Sequence, residues 1–259
     1  MLGRFLEISL QAPQILESVQ FYESLGFTQA PSNDTWKHPY GVLTDGRITL
    51  GLHQFAFPGP SLTYVLPELA SRIEALDALA LDWFFRKLDL DAFNEAGFRD
   101  PEGQVVTILE ARTYSPTQRR SHETSQLGWF EEYAIPVKDL DRARSFWESI
   151  GFVATGTGEM PFDRVSLSGH GLDIALWQTR AFDAPLMVFV EPDMPERIAQ
   201  LRDRGHVFSS ELPRRFDPRQ SVLLKSPEGT ALLLTTPDER GGSDSAPEGI
   251  IVSEGGDPG

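Results

Sequence analysis

The chain has 259 residues, of which 40% are hydrophobic and 24% charged, a composition that is ordinary for a folded protein. It carries 23 Lys and Arg against 38 Asp and Glu, and a surface with a net charge of −15 repels nucleic-acid phosphates and anionic lipid. Because the chain contains no cysteine, it can form neither disulfides nor thiolate sites. We therefore expect no nucleic-acid partner and no membrane partner.

The amino-terminal residues reach the charged Arg4 and Glu7 too early for a signal peptide. No later apolar run approaches the roughly 18 residues that a membrane-spanning helix needs. Together these features predict a cytoplasmic protein.

One stretch of sequence occurs twice and organises the rest. Gln-Phe-Tyr-Glu-Ser-Leu-Gly-Phe at residues 20–27 returns as Ser-Phe-Trp-Glu-Ser-Ile-Gly-Phe at residues 145–152. Each copy ends a predicted amphipathic helix, and Gly26 and Gly151 are suited to the left-handed conformation that stops a helix. A repeat of this length predicts two domain-sized copies of one architecture.

The first half of the chain predicts two units, at residues 4–54 and 61–110, each with one strand, one helix and three further strands. Pro13 is placed to open the first helix, and Asp45-Gly46 is typical of a tight turn between strands. The turn Asp-Pro-Glu-Gly at residues 100–103 leads into the last strand of the second unit.

The second half repeats this order at residues 130–178 and 186–235. Asp139 is a suitable amino-terminal cap for the third helix. A strand is predicted at residues 207–210, and Ser-Pro-Glu-Gly at residues 226–229 repeats the earlier turn.

These patterns predict two domains, at residues 1–112 and 127–237. The linker at residues 113–126 has no apolar period. Residues 238–259 are rich in Gly, Ser, Asp and Glu and are predicted to form a disordered acidic tail.

The helix that ends in Phe-Tyr-x-x-Leu-Gly-Phe, and the Pro-Glu-Gly turn before a final strand, resemble the vicinal oxygen chelate superfamily over roughly residues 4–236. This superfamily includes glyoxalase I, bleomycin and fosfomycin resistance proteins and extradiol dioxygenases. The resemblance implies an α+β fold in which four βαβββ units form two glyoxalase-like domains with curled mixed sheets. Two paired units form a cup, and the sequence leaves open which units pair.

Metal-dependent members hold a divalent ion on His, Glu or Gln side chains from the first and last strands of paired units. Counting from the two motifs places the equivalent positions at Glu7, Ser61, Glu132, about Pro185, Gly51, Thr107, Ala175 and Leu233. Two of the eight are good ligands, whereas a stable site needs three or four donors. We therefore expect no cofactor, with a divalent metal still possible, and neither glyoxalase I activity nor extradiol ring cleavage.

Strand alternation predicts what surrounds each Glu. The first cup is predicted to be polar, lined by Glu7, Ser9, His53, Ser61 and Thr107. The second is predicted to be apolar, lined by Glu132, Trp177, Met187 and hydrophobic neighbours. The two Glu are candidate catalytic bases, and the other residues are candidate ligand-binding residues.

Each candidate also has a plain structural interpretation. A strand Glu often belongs to a solvated face, His53 can be a hydrogen-bonded structural residue, and Trp177 can be part of a wall. His38, His170 and His206 are most simply turn residues.

Three functions are compatible with these features. The first is a protein that binds a small organic molecule in a cup without the usual metal, as the bleomycin-resistance branch does. The second is a lyase, isomerase or hydrolase of the same fold that uses Glu7 or Glu132 as general base. The third is an assembly module without a ligand. Monomer and homodimer are both compatible with a tandem chain.

Overall fold

A computed structural model describes residues 2–31, 37–89, 93–111 and 125–237. Eight of its strands come from the first half of the chain: β1 (Arg4–Gln11), β2 (Thr28–Ala30), β3 (Tyr40–Thr44), β4 (Thr49–His53), β5 (Ser61–Val65), β6 (Asp82–Lys87), β7 (Glu95–Arg99) and β8 (Val105–Leu109). Seven come from the second half: β9 (Trp129–Val137), β10 (Val153–Gly158), β11 (Arg164–Gly169), β12 (Leu172–Gln178), β13 (Leu186–Val190), β14 (Val222–Lys225) and β15 (Ala231–Thr235). The helices are α1 (Ile15–Ser24), α2 (Leu69–Asp77), α3 (Leu140–Ser149) and α4 (Met194–Asp203).

The strands form two mixed sheets, one from each half of the chain. The first sheet has the order β2-β3-β4-β1-β5-β8-β7-β6, and the second has the order β10-β11-β12-β9-β13-β15-β14. In each sheet the first strands of two consecutive units lie side by side and antiparallel, β1 with β5 and β9 with β13. Units therefore pair with their neighbours in sequence, and the predicted α+β fold of βαβββ-like units is confirmed.

The fourth unit differs from the prediction in one respect. Instead of a strand at residues 207–210, the described chain forms a single bridge between Ser209 and Leu223. Among the residues that the structure describes, β14 and β15 are the strands that follow α4, so the second sheet has one strand fewer than the first.

Local chemistry explains where the helices begin and end. The Asp139 side chain accepts a hydrogen bond from the Arg142 backbone N–H at 3.0 Å, which caps α3 as predicted. Gly26 and Gly151 adopt φ values of 93° and 102° just after α1 and α3. This conformation costs a glycine little, and it lets the chain leave the helix towards the next strand.

The helices pack against one face of each sheet. Ile8 and Leu10 of β1 belong to this helix-side core together with Tyr22 of α1, and Trp147 of α3 takes the place equivalent to Tyr22. Because successive strand residues point to opposite faces, Glu7 and Ser9 project from the other face of the first sheet. That other face is the inside of the cup.

The sheets lie on either side of the predicted linker. Of residues 113–126, those at 113–124 fall outside the described part of the chain, as does the predicted tail at residues 238–259. Within the described part, no helix has the length and apolar character needed to cross a bilayer.

Candidate functional site

The first candidate site surrounds Glu7 in the middle of the first sheet. Its side chain is buried at 1% exposure, which rules out the solvated-face interpretation. The carboxylate accepts hydrogen bonds from Tyr40 Oη at 2.5 Å and Ser9 Oγ at 2.7 Å, and His53 Nε2 lies 3.0 Å from Oε1. Three donors on one buried carboxylate replace the water it would otherwise bind.

His53 extends this arrangement towards the surface. An ionised carboxylate only accepts, so His53 donates from Nε2, and its Nδ1 in the neutral ring is left as an acceptor. His38 Nε2 lies 3.0 Å from that Nδ1. The result is a hydrogen-bonded series of three side chains that runs from buried Glu7 through His53 to half-buried His38. The His38 ring stacks on the exposed Phe55 ring, with centroids 5.2 Å apart.

Burial, followed by the neighbouring His53, lowers the pKa of His38 below its ordinary value. This favours the neutral imidazole, which can both donate and accept a hydrogen bond. His38, the outermost of the three side chains, is therefore neutral near neutral pH.

Hydroxyl groups continue the polar surface across the sheet. Ser9 Oγ lies 2.7 Å from Thr63 Oγ1, and since Ser9 donates to Glu7, Thr63 donates to Ser9. Ser61 Oγ and half-buried Thr107 Oγ1 form a second pair at 2.8 Å. A bond between two hydroxyls uses only one of their hydrogens, so this pair can still donate to a ligand.

The small residue at position 51 has a definite role in this arrangement. Gly51 lies opposite Ser9 in the parallel pairing of β1 and β4. A Cβ built at Gly51 would overlap the Glu7 carboxylate. The glycine is therefore what allows Glu7 to lie flat across the neighbouring strand.

The second candidate site, around Glu132, is built differently. Glu132 is 3% exposed, and its carboxylate accepts from Trp177 Nε1 at 3.2 Å and from Ser166 Oγ at 3.3 Å. The surrounding side chains form a separate hydrophobic core: Ala134, Phe162, Ala175, Trp177, Leu186, Val188, Phe216, Leu223 and Leu233. The second cup is thus filled by the protein's own side chains.

Aromatic rings provide most of this filling. Trp177 and Phe216 stack with centroids 6.4 Å apart, and Phe162 lies 5.8 Å from Trp177 and 6.1 Å from Phe216. Phe162 and Phe216 come from the connections before β11 and β14. These segments close the cup from the side opposite to the sheet.

One predicted position in the second domain was wrong, and a second, counted to about Pro185, is placed one residue later. Met187 does not line the cup but belongs to the helix-side core, whereas its neighbours Leu186 and Val188 face the cup. The pairing of β9 with β13 places Leu186, not Pro185, at the position equivalent to Ser61. The structure otherwise brings Glu7, Ser9, His53, Ser61 and Thr107 to one face of the first sheet, and Glu132 and Trp177 together in the second domain.

The sequence prediction missed three residues of the first cup. His38 was interpreted as a turn residue but contacts His53, and Tyr40 and Thr63 were not considered. A signal for Tyr40 existed: pairing outward from the Asp45-Gly46 turn brings Tyr40 opposite His53.

The resembled superfamily implies a metal, and the side chains of this chain do not fit one. In the first cup the four equivalent positions carry Glu7, Gly51, Ser61 and Thr107, and in the second they carry Glu132, Ala175, Leu186 and Leu233. Each cup thus has one carboxylate, where three or four donors are needed. Across the described segments, no three His, Cys, Asp or Glu side chains form a group that could hold a metal ion.

Comparison with known proteins supports the fold. No family model matches the chain, and no curated protein matches it. Among solved structures, it is similar to an extradiol ring-cleaving dioxygenase from Brevibacterium fuscum, with a TM-score of 0.57 and 15% identity over 95% of this chain and 74% of that one. It is also similar to a catechol 2,3-dioxygenase, with a TM-score of 0.56 and 12% identity over 94% and 90% of the two chains.

A third similar structure is 2,2',3-trihydroxybiphenyl 1,2-dioxygenase from Sphingomonas wittichii, with a TM-score of 0.54 and 13% identity over 90% of each chain. The chain therefore has the vicinal oxygen chelate fold that these extradiol dioxygenases share. At these identities the structural similarity establishes the fold, and the chemistry has to be inferred from the residues of the site.

This likeness corrects the expectation of a protein without a cofactor. Extradiol dioxygenases are metal-dependent members of the superfamily, so the comparison points to a metal and the cofactor-free prediction was wrong as drawn. Among the described residues, the two cups nevertheless lack a donor set that would hold such a metal.

Proposed function

We propose that the protein binds a small organic molecule in the first cup, and that an aromatic compound with hydroxyl groups suits this cup best. The observation that carries the proposal is the hydrogen-bonded series Glu7–His53–His38, which lies beside several hydroxyl side chains on the same face of the sheet. Ligand sites typically combine apolar walls with a few converging polar groups. Here Phe57 packs edge-on against His53 and supplies part of the apolar wall.

The hydroxyl pair Ser61–Thr107 supplies hydrogen-bonding groups for the hydroxyls of such a ligand. Thr107 is half-buried and lies next to Thr63 in the pairing of β5 with β8. A phenolic hydroxyl both donates and accepts, so it can bond to this pair while its ring packs on the aromatic wall. The aromatic diol named in one of the similar structures, catechol, is a suitable probe.

Titration calorimetry with catechol, and with toluene as a ring of similar size without hydroxyls, tests this proposal. We expect catechol to bind and toluene to bind much more weakly. Ser61→Ala and Thr107→Val should each weaken catechol binding about 5- to 10-fold, which corresponds to one lost hydrogen bond. Ser166→Ala, a hydroxyl deletion in the second cup, is the matched control and should leave binding unchanged.

A second candidate function is proton abstraction by Glu7, and the relay through His53 to His38 favours it. For a proton taken by the carboxylate to leave through the two imidazoles, His53 takes the opposite tautomer, in which Nε2 accepts from Glu7 and Nδ1–H donates to His38 Nε2. The donors to Glu132 include the Trp177 indole and the Ser166 hydroxyl, and neither group takes up a proton near neutral pH as an imidazole does. The structure therefore favours Glu7 over Glu132 for this role.

Ring opening of 5-nitrobenzisoxazole, which begins when a base removes a proton from carbon, tests the second candidate. Wild-type protein should accelerate the reaction, Glu7→Gln should abolish the acceleration, and Glu132→Gln should retain it. Equal loss in both variants would exclude a specific role for Glu7.

A further inference from the structure

A cavity of about 500 Å³ lies between the two domains, apart from both cups. The first domain contributes residues 59–60 and the turn at 102–105, and the second contributes the end of β9 at 135–138 and the connection at 179–185. Its volume is within the range of small-molecule sites, and interfaces between domains are a common place for them. The lining does not include Glu7, His53 or Trp177.

The two Pro-Glu-Gly turns differ in how their carboxylates are bonded. In the second domain, Glu228 of this turn accepts hydrogen bonds from Ser18 Oγ at 2.7 Å and Tyr22 Oη at 2.6 Å of α1. The equivalent carboxylate in the first domain is Glu102, and the positions on α3 that match Ser18 and Tyr22 hold Ala143 and Trp147.

Because of this difference, Glu102 lacks the contacts with a helix that Glu228 makes, and it lines the cavity. Trp147 Nε1 donates to Asp100 at 3.1 Å, and Ala143 has no polar side-chain group. Glu102 instead faces Lys138 of the second domain, with Nζ 3.8 Å from Oε2, which is at the long end of ion-pair distances. Such a long pair is readily rearranged by a ligand that offers better contacts.

The lining carries charges of both signs and an apolar part. The negative groups are Glu102 and Asp183, and the positive groups are Lys138 and Arg180. Val105, Ile135, Phe182 and Pro185 supply apolar surface. A ligand with one charge would meet two like charges in this cavity, whereas a ligand with both charges can pair each with an opposite one.

We propose that this cavity binds a small zwitterion with an apolar side chain, of the kind that an α-amino acid represents. The carboxylate pairs with Arg180 and Lys138, the ammonium group pairs with Glu102 and Asp183, and the side chain packs on Phe182 and its apolar neighbours. The Arg180 guanidinium is suited to a carboxylate because two of its N–H groups can bond both oxygens.

Titration calorimetry on the full chain with three matched probes tests this assignment. The probes are L-phenylalanine, 3-phenylpropionate, which lacks the amine, and 2-phenylethylamine, which lacks the carboxylate. We expect phenylalanine to bind and each analogue to bind at least about tenfold more weakly, since each lacks one charge-assisted contact.

Two substitutions test the contacts to the ligand's carboxylate and to its ammonium group separately. Arg180→Gln should weaken phenylalanine about tenfold and leave phenylethylamine unchanged, and Glu102→Gln should weaken phenylalanine and leave phenylpropionate unchanged. Arg144→Gln, an exposed arginine on α3 that pairs with Glu148, is the control and should change nothing. Thermal unfolding of each variant verifies that the fold is retained.

The outcomes are decisive in both directions. Weakening by Arg180→Gln and Glu102→Gln in the pattern given supports the zwitterion site. The assignment is overturned if phenylalanine gives no heat up to about 10 mM, if either single-charge analogue binds as well, or if the two variants bind phenylalanine like Arg144→Gln. A failure here leaves catechol binding in the first cup untouched, because the cavity lining contains neither Ser61 nor Thr107.

Discussion

Each of the two sheets carries a buried glutamate at the matching position, and the residues around the two glutamates are of opposite character. Glu7 lies among polar and very small residues, whereas Glu132 lies in a hydrophobic core. The residue pairs at matching sheet positions are Ser9 and Ala134, Gly51 and Ala175, His53 and Trp177, Ser61 and Leu186, Thr63 and Val188, and Thr107 and Leu233. Six replacements on one scaffold thus separate a polar cup from a packed one.

The difference shows what each side chain does. In the first cup, His53 links the carboxylate to His38 and the surface. In the second, Trp177 fills the space, and its N–H is one of the donors to the carboxylate. A buried carboxylate on this sheet is therefore compatible with either a binding site or a structural core, and its neighbours decide which.

The largest expected effect comes from removing the ring that fills the second cup. Trp177 is fully buried, so Trp177→Ala should lower the free energy of unfolding by about 3–5 kcal/mol. His53→Ala at the matching position should cost about 1–3 kcal/mol, mainly for the lost hydrogen bond to Glu7. Denaturant unfolding of both variants measures the difference, and equal costs would mean that the first cup is packed as the second is.

The next effect concerns the small residue beside Glu7. Gly51→Ala places a methyl group on the Glu7 carboxylate and should displace it from Tyr40 and Ser9, at a cost of about 1–3 kcal/mol. Ala175→Gly in the second domain removes a methyl group instead and should cost about 1 kcal/mol. Catechol binding should fall in Gly51→Ala only. If Gly51→Ala retains wild-type stability and binding, the position of Glu7 has no importance for the cup.

An effect of similar size is expected from removing a single donor to the first carboxylate, and a smaller one from removing a donor to the second. Tyr40 bonds Glu7 at 2.5 Å, so Tyr40→Phe should cost about 1.5–3 kcal/mol. Ser166 bonds Glu132 at 3.3 Å, and Ser166→Ala should cost less than about 1 kcal/mol. Thermal unfolding distinguishes them, and the reverse order would contradict the assignment of Tyr40 as a principal partner of Glu7.

The smallest effect is a pH dependence specific to the first cup. Burial and the nearby His53 lower the pKa of His38, so the unfolded chain binds a proton there more readily than the folded chain. Stability should therefore decrease as the pH falls below about 6.5, the ordinary value for histidine.

Burial also lowers the pKa of His170, which contributes in the same direction, so a substitution at residue 38 removes only part of the dependence. Urea unfolding at about pH 7.5 and about pH 5.5 should show a smaller loss of stability for His38→Asn than for wild type. Identical losses would place His38 outside the relay.

Much of the fold could be predicted because its signals are local. The glycine stops after α1 and α3, the Asp139 cap and the Asp45-Gly46 turn all depend on neighbouring residues, and all are present in the structure. The repeat then located both glutamates, because the spacing from the helix to the first strand is the same in both domains.

What could not be predicted depends on contacts distant in sequence or on a single step along a strand. Met187 was misplaced because the cup-facing position at the start of the fourth unit was counted to about Pro185 and not to Leu186, and a slip of one residue moves a side chain to the other face. Phe162 and Phe216 reach the second cup from irregular connections, where no period indicates direction. The partnership of His38 with His53 joins a residue before β3 to the end of β4.

A crystal structure of the protein with catechol tests the central claim most directly. The account predicts the ring in the first cup, with a hydroxyl within hydrogen-bond distance of Ser61 or Thr107, and an unchanged second cup in which Trp177 and Phe216 remain stacked. Catechol bound around Glu132 in the second cup, or an empty first cup in crystals saturated with catechol, would contradict it.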